Sequence, residues 1–246
     1  MLSKIEIESI FPFFVFDEPF NKLLIAIARS DGKMNSIFNK IKVGESLGIE
    51  LVDELIKSGI IYLQDSRENP IKLYPKQLIK KDLRAYTIQP KLYFTKPFFR
   101  FWFAFVQPNK KEDGNIDIAL VLKSFNKDGY RLSSLVFEQL SIELLKLKVK
   151  QKDINLDICA SYWDRFSEFD IYCNSKEGIN IVGECKYTNR PITKSELLKL
   201  ENKTKQSSLR ADYIALFSKS GFSKELQKIK RDNLLLFTLN DFKLLL

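Results

Sequence analysis

The chain has 246 residues, enough for one large domain or two smaller ones, and we predict two. Its contents of 45% hydrophobic and 29% charged residues allow an ordinary buried core, and no apolar run approaches the ~20 residues of a membrane helix. There is no histidine, which excludes Ser-His-Asp and Cys-His catalysis and histidine metal ligands. Any chemistry must use carboxylates, lysine, tyrosine or a metal bound by oxygen.

The amino-terminal stretch "MLSKIEIESI" contains acids where a signal peptide would be continuously apolar. This predicts a cytoplasmic protein with no membrane partner. The three cysteines, Cys159, Cys173 and Cys185, are far apart and have no CxxC spacing. They are therefore predicted to be small buried residues, and neither a disulfide framework nor a zinc site is indicated.

The formal charge of +9 is concentrated in the carboxyl-terminal part of the chain. Residues 1–90 carry 13 Lys/Arg against 12 Asp/Glu, whereas residues 91–246 carry 27 against 19. A basic surplus of this kind suits a phosphate backbone, although excess lysine also promotes solubility.

The first part of the chain predicts three helices followed by a hairpin. The helical segments are "NKLLIAIARSDGK", "MNSIFNKIK" and "SLGIELVDELIKSGI", and the strands are "IIYLQDS" and "IKLYP". This order is typical of a winged helix, which we place in residues 1–108. The outward side of the third helix is acidic, with Glu45, Glu50, Asp53 and Glu54. We therefore favour a structural or protein-contact role for it, with DNA reading as the alternative.

The aromatic segment "KLYFTKPFFRFWFAFVQP" follows and is predicted to be a buried helix joining two domains or a homodimer interface. Stacking on nucleobases is the alternative. The polar segment "NKKEDGN", residues 109–115, is then a loop at the domain boundary, and the second domain is predicted to span residues 115–246.

The second domain has a clear predicted order of elements. A helix in "LSSLVFEQLSIELLKLK" is capped by Ser133 and Ser134, and the strands "INLDICASYWD", "EFDIYCNS" and "INIVGECKYT" follow. A helix in "TKSELLKLENKTKQSS", a strand in "DYIALFSKSG", a helix in "SKELQKIKRDN" and a strand in "LLLFTL" complete it. The order is helix, three strands, helix, strand, and then a further helix and strand.

The segment "GECKY" carries the candidate site. Glu184 and Lys186 share one face of their strand, and Cys185 takes the other. On the preceding strand, strict alternation places Asp170 opposite to Phe169 and Ile171. Asp170 can then lie beside Glu184, and two neighbouring carboxylates call for a cation such as Mg²⁺ between them. A plain surface ion pair of Glu184 with Lys186 is the alternative.

These residues resemble the PD-(D/E)XK nuclease fold. More closely, "FFRFWFAFVQP", "VFEQL", "YWDRFSEFDIY", "ECKY" and "LFSKSGF" resemble, in order, the carboxyl-terminal part of the archaeal-type AAA+ ATPase family. In that family a winged helix precedes a nuclease-like domain. The chain lacks a G-x-x-x-x-G-K-[ST] motif, so nucleotide binding by an ATPase domain is not implied. The implied fold class is α+β, a winged helix followed by a PD-(D/E)XK domain with a mixed sheet flanked by helices.

The resemblance implies roles for individual residues. Lys186 matches the catalytic lysine, Asp170 and Glu184 match the catalytic metal ligands, and Glu138 matches an acid on the first core helix. Cys185, between the two matched residues of the motif, is counted with the carboxylates in the predicted metal site. Cations and an amide at and after the end of the next helix suit the phosphates of a bound strand: Lys203, Lys205, Gln206 and Arg210.

The leading hypothesis is a Mg²⁺- or Mn²⁺-dependent DNA endonuclease, or a nuclease-fold protein that binds duplex DNA. The alternative is a non-catalytic winged-helix regulator or adaptor that works with an ATPase on a separate chain.

Overall fold

The computed structural model describes residues 16–68, 74, 76–78, 81, 88–111 and 113–246. Over these residues the fold is mixed α+β with two sheets, and the chain divides into two compact units. The first unit contains residues 1–65 and 89–132, and the second contains residues 66–88 and 133–246. The loop at 109–115, where the domain boundary is predicted, lies inside the first unit.

In the described part of the first unit, three helices lie at the predicted places. They are α1 (Phe20–Ala28), α2 (Met34–Ile41) and α3 (Glu45–Lys57), and their apolar stripes meet in one core. Leu23, Ile27 and Leu55 are almost completely buried in this core. The four acids on the outward side of α3 are exposed, as the sequence predicts.

Strand β1 (Ile61–Gln64) pairs antiparallel with β2 (Lys91–Phe94), with Ile61 opposite Phe94. The prediction that residues 91–94 open a helix is therefore wrong. Leu92 and Phe94 alternate into the core, which is strand periodicity. The strand predicted at residues 71–75 lies, apart from Tyr74, outside the described residues.

The aromatic segment continues as α4 (Pro97–Phe101), a π-helix (Trp102–Val106) and a 3₁₀ turn (Gln107–Asn109). All five residues of the π-helix are buried in the core of the first unit. Phe101 and Phe105 pack against Phe125 with ring centroids 5.8 and 5.3 Å apart. Most of this aromatic surface is therefore used inside the unit.

Helix α5 (Ile118–Lys150) is 33 residues long, and Ser133 and Ser134 lie in its interior. The prediction that they cap its start is wrong, because Val121 and Phe125, one turn apart, already pack on the first core. Gly129 lies inside the helix, where a Cβ would lie 2.8 Å from the Phe125 ring. In the part of the chain described, no helix combines the length and apolar character that crossing a membrane requires.

The second unit contains a five-stranded sheet in the order β3-β4-β5-β6-β7. Its strands are β3 (Leu156–Trp163), β4 (Glu168–Ser175), β5 (Asn180–Lys186), β6 (Tyr213–Ser218) and β7 (Leu234–Thr238). The first three are antiparallel, and β6 and β7 run parallel to β5. Helices α6 (Lys194–Gln206) and α7 (Lys224–Gln227) and a 3₁₀ turn (Asp241–Leu245) complete the unit.

Helices cover both faces of this sheet. On one face the second half of α5, through Phe137 and Leu144, packs against Ile181 and Phe217. On the other face α6 and α7 bury a second set of side chains: Val182, Leu197, Leu200, Leu216 and Leu226. Alternation along β5 and β6 sends neighbouring residues to opposite clusters, which explains their continuous apolar runs.

Cys159 and Cys173 are directly opposite each other on β3 and β4, with Cα atoms 4.0 Å apart, and are joined as a disulfide. The prediction of three separate buried cysteines is wrong for this pair. The pairing arises from strand register, which a separation of 14 residues does not reveal. Cys185 is a free, buried cysteine.

Candidate functional site

A β-bulge in β4 positions Asp170. Ala160 pairs with Tyr172 and Tyr162 pairs with Phe169, so β4 has one residue more than β3 over this interval. The prediction of strict alternation is therefore wrong here. Phe169 packs on the α6 face, whereas Ile171 packs on the α5 face. Asp170 lies between them, inside the bulge.

The Asp170 carboxylate accepts a 2.7 Å hydrogen bond from the backbone N–H of Cys185. The pKa of Asp170 is raised from 3.8 to about 6, first by burial and then by the negative charge of Glu184. The Cys185 hydrogen bond and the charges of Lys186 and Lys203 act in the opposite direction. Glu184 is thus close enough to disfavour the ionisation of Asp170.

Glu184 is held by two ammonium groups. Lys186 Nζ lies 2.5 Å from Oε1 of Glu184, and Lys203 Nζ lies 3.1 Å from Oε2. Burial lowers the pKa of Lys186, but the Glu184 charge and hydrogen bond outweigh it, so the pKa is raised. Lys186 is therefore protonated at neutral pH. The two lysines come from different elements, β5 and α6, and fix the Glu184 carboxylate between them.

Close packing explains why a glycine, Gly183, directly precedes Glu184. A Cβ at position 183 would lie 3.0 Å from the Ile171 Cβ and 3.3 Å from the carbonyl oxygen of Ala215. The central strand is thus closely packed between β4 and β6 immediately before Glu184. Any larger residue would press against the bulge-bearing strand that carries Asp170.

Cys185 and Glu138 lie toward the α5 face. The Cys185 side chain is buried in that core, and burial followed by the charge of Asp170 raises the pKa of its thiol. Glu138 is half-buried and is close enough to raise the same pKa further. The Cys185 thiol thus points away from the face on which α6 contacts Glu184. Cys185 contacts Asp170 through its backbone N–H instead.

The predicted nucleic-acid residues have different surroundings. Lys203 joins the site and also lies 4.7 Å from the centre of the Phe169 ring. Lys205 and Gln206 are exposed at the end of α6. Arg210 donates through Nε and Nη2 to Oδ1 of Asp212, at 3.0 and 2.8 Å.

Arg67 is a positioning residue that the sequence does not reveal. Its Nη2 donates to the carbonyl oxygens of Tyr172 at 2.8 Å and Ala160 at 3.2 Å, where the β3–β4 ladder is irregular. Its guanidinium also lies 5.1 Å from the centre of the Tyr172 ring. Arg67 thus supports the bulge that carries Asp170. These contacts join residues about 100 positions apart, and no local pattern marks them.

Within the described residues, no group of three or more His, Cys, Asp or Glu side chains is arranged to hold a metal ion. The acids brought together are the pair Asp170 and Glu184, with two lysines on Glu184.

The DUF234 family matches residues 102–206. This family is described as archaeal and bacterial proteins of unknown function. The match runs from the π-helix through α5 and β3–β5 to the last residue of α6. It therefore includes Asp170, Glu184, Lys186 and Lys203 without assigning them an activity. Comparisons with curated proteins and with solved structures gave no significant match.

Proposed function

We propose that the second unit is a nuclease-like domain of the PD-(D/E)XK type that acts on DNA with Mg²⁺ or Mn²⁺. The observation that carries the proposal is the cluster of Asp170, Glu184 and Lys186, in which Asp170 has a strongly raised pKa. Buried carboxylates with perturbed pKa values are common where proteins bind metals or catalyse reactions. The order α5, β3–β5, α6, β6 agrees with the core that the sequence resemblance implies.

The residues present fit a magnesium ion in one respect. Mg²⁺ is usually bound by one or two carboxylates, with waters and substrate phosphate oxygens completing its shell. Asp170 and Glu184 supply that pair. Burial and then repulsion from Glu184 raise the pKa of Asp170, and a cation would offset that repulsion. Such an ion would polarise a phosphodiester oxygen and lower the pKa of a bound water.

The protein groups have separate roles in this proposal. Lys186, protonated through its contact with Glu184, supplies a positioned positive charge for a phosphate rather than a general base. Lys203 adds a second charge from α6. Glu184 would exchange one of its lysine contacts for the metal, and the Cys185 N–H would keep Asp170 oriented.

The first unit is proposed to be a winged helix because, among the residues described, three helices precede a two-stranded sheet. The exposed acids of α3 make that helix a poor surface for DNA phosphates. We assign it a protein-contact role, with the more basic carboxyl-terminal part of the chain bearing the DNA.

The test is cleavage of supercoiled and linear DNA by the purified chain with magnesium or manganese. Lys186→Ala and Glu184→Gln are expected to abolish cleavage and to leave DNA affinity within a few-fold. Lys199→Ala is the matched control, because Lys199 is exposed on the same helix as Lys203. Cleavage that survives both site variants would refute the catalytic assignment.

A second function is favoured by one observation. Both carboxylate oxygens of Glu184 are already held by lysines, a closed arrangement that also suits a domain that binds DNA without cutting it. Wild-type protein that binds duplex DNA but does not cleave it with either metal would establish this regulator or adaptor function instead.

A further inference from the structure

A cavity of about 430 Å³ lies in the first unit, remote in sequence from the carboxylate pair of the second. It is bounded by the end of α1, by α4 with the π-helix, and by the first half of α5. Four cationic side chains line it, against the single carboxylate of Asp128: Arg29, Arg100, Lys127 and Arg131. The lining therefore has a strong positive excess.

Two of these arginines donate hydrogen bonds to backbone carbonyls that orient them. Arg29 donates through Nε and Nη2 to the carbonyl oxygen of Ala104, at 3.0 and 2.8 Å. Arg100 donates through Nε to the Ala28 carbonyl at 3.1 Å and through Nη2 to the Ser30 carbonyl at 2.6 Å. These bonds orient both guanidinium groups. Carbonyl oxygens do not cancel the charge of Arg29, so a positive charge is fixed at the cavity wall.

The backbone of the π-helix helps to build this wall. Ala104 belongs to it, and the wider turn changes the pattern of carbonyl bonding from that of an α-helix. Short π-helices are frequent at functional sites. Here the Ala104 carbonyl receives the paired bonds of Arg29.

Helix α5 presents a stripe to the same cavity. The stripe starts at Ser124 and continues three, four and seven positions later, so its members share one helix face: Ser124, Lys127, Asp128 and Arg131. Among the described residues, Arg29 and Lys127 make no ion pair with a carboxylate. Lys127 and Arg131 are exposed, which leaves both side chains accessible to a ligand.

We propose that this cavity binds a phosphate ester. Guanidinium groups held in fixed orientations are suited to phosphate oxygens, which they can bind with two parallel hydrogen bonds. The volume is within the range of small-ligand pockets, and Phe105 and Leu132 offer an apolar wall for the non-phosphate part. The ester is either a free nucleotide or a phosphodiester of a nucleic-acid backbone. This inference does not depend on catalysis by the second unit.

The experiment measures binding to the full chain by calorimetry at low salt and without divalent metal. The ligands are inorganic tripolyphosphate, ATP, short duplex DNA and citrate. The variant Lys127→Glu/Arg131→Glu reverses the charges of two side chains and leaves in place the arginines that bond backbone carbonyls, Arg29 and Arg100. It is expected to weaken phosphate binding by about tenfold or more. Lys123→Glu is the matched control, because Lys123 is exposed on the same helix but does not line the cavity.

The ligands separate the two sources. A loss confined to tripolyphosphate and ATP identifies a free phosphorylated ligand, and a loss confined to DNA identifies a backbone phosphodiester. Equal affinities of the variant and the wild type for all the phosphates would overturn the proposal, as would equally tight binding of citrate. An equal loss in Lys123→Glu would also overturn it. If charge reversal prevents folding, Lys127→Gln/Arg131→Gln gives the same comparison by removing the charges.

Discussion

Asp170→Asn should make the protein more stable at neutral pH. In the folded protein the pKa of Asp170 is about 6, against an ordinary value of 3.8. When the pH lies between these two pKa values, Asp170 has lost its proton in the unfolded chain but still holds it in the folded chain. The stability of the folded state therefore falls as the pH rises from about 4 to about 6. Above pH 6 the whole cost of the buried charge is present.

The cost can be worked from the two pKa values. Their difference, at 1.36 kcal/mol for each pKa unit, corresponds to up to about 3 kcal/mol. Asparagine removes the charge, and its side-chain oxygen can still accept the hydrogen bond from the Cys185 N–H. The free energy of unfolding of the variant should therefore exceed that of the wild type by up to about 3 kcal/mol at pH 7.5. This difference should shrink toward zero near pH 4.

Urea unfolding between pH 4 and pH 7.5, with a chelator present, measures this difference. Fluorescence of Trp163 in a Trp102→Phe background reports on the second unit alone. Asp157→Asn is the matched control, since Asp157 is exposed on β3, and a change within about 0.5 kcal/mol is expected. Parallel pH profiles for wild type and Asp170→Asn, or a less stable variant at pH 7.5, would refute the argument from burial and Glu184.

Three further predictions concern the same unit. Mg²⁺ at ten times its Kd should stabilise the wild type by about 1.4 kcal/mol, seen as a higher thermal midpoint, and should not stabilise Asp170→Asn. Lys203→Ala should raise the pKa of Asp170 further, because the Lys203 charge lowers it; a carboxyl NMR titration tests this, and Lys199→Ala should leave the titration unchanged. Unreduced protein in denaturant should present one titratable thiol, that of Cys185, and reduced protein should present three; three thiols before reduction would contradict the disulfide.

The parts of the second unit that local patterns control could be predicted from the sequence. Period-two alternation placed Glu184 and Lys186 together on β5, and helical spacing placed α6 after them. The proximity of Asp170 to Glu184 followed from pairing two strands joined by a short turn. These inferences need only residues close in sequence.

The missed features depend on contacts between distant residues. The bulge at Asp170 has no local signal, since a strand with one extra residue looks like any other strand. The pairing of Lys203 with Glu184 also has no local signal, because the packing of α6 on the sheet brings the two together. The pairing of Ile61 with Phe94 likewise joins segments separated by about 30 residues.

The contacts of Arg67 affect the order in which the chain can fold. Residues 66–88 belong to the second unit, yet 44 residues of the first unit separate them from the rest of it. Arg67 leaves the ribosome long before the carbonyls of Ala160 and Tyr172 that it will hold. Its docking closes a very long loop and requires both strands of the β3–β4 hairpin, whose carbonyls it bonds. A fragment that begins at residue 133 would lack Arg67. The bulge that contains Asp170 would then lose the hydrogen bonds that Arg67 donates to it.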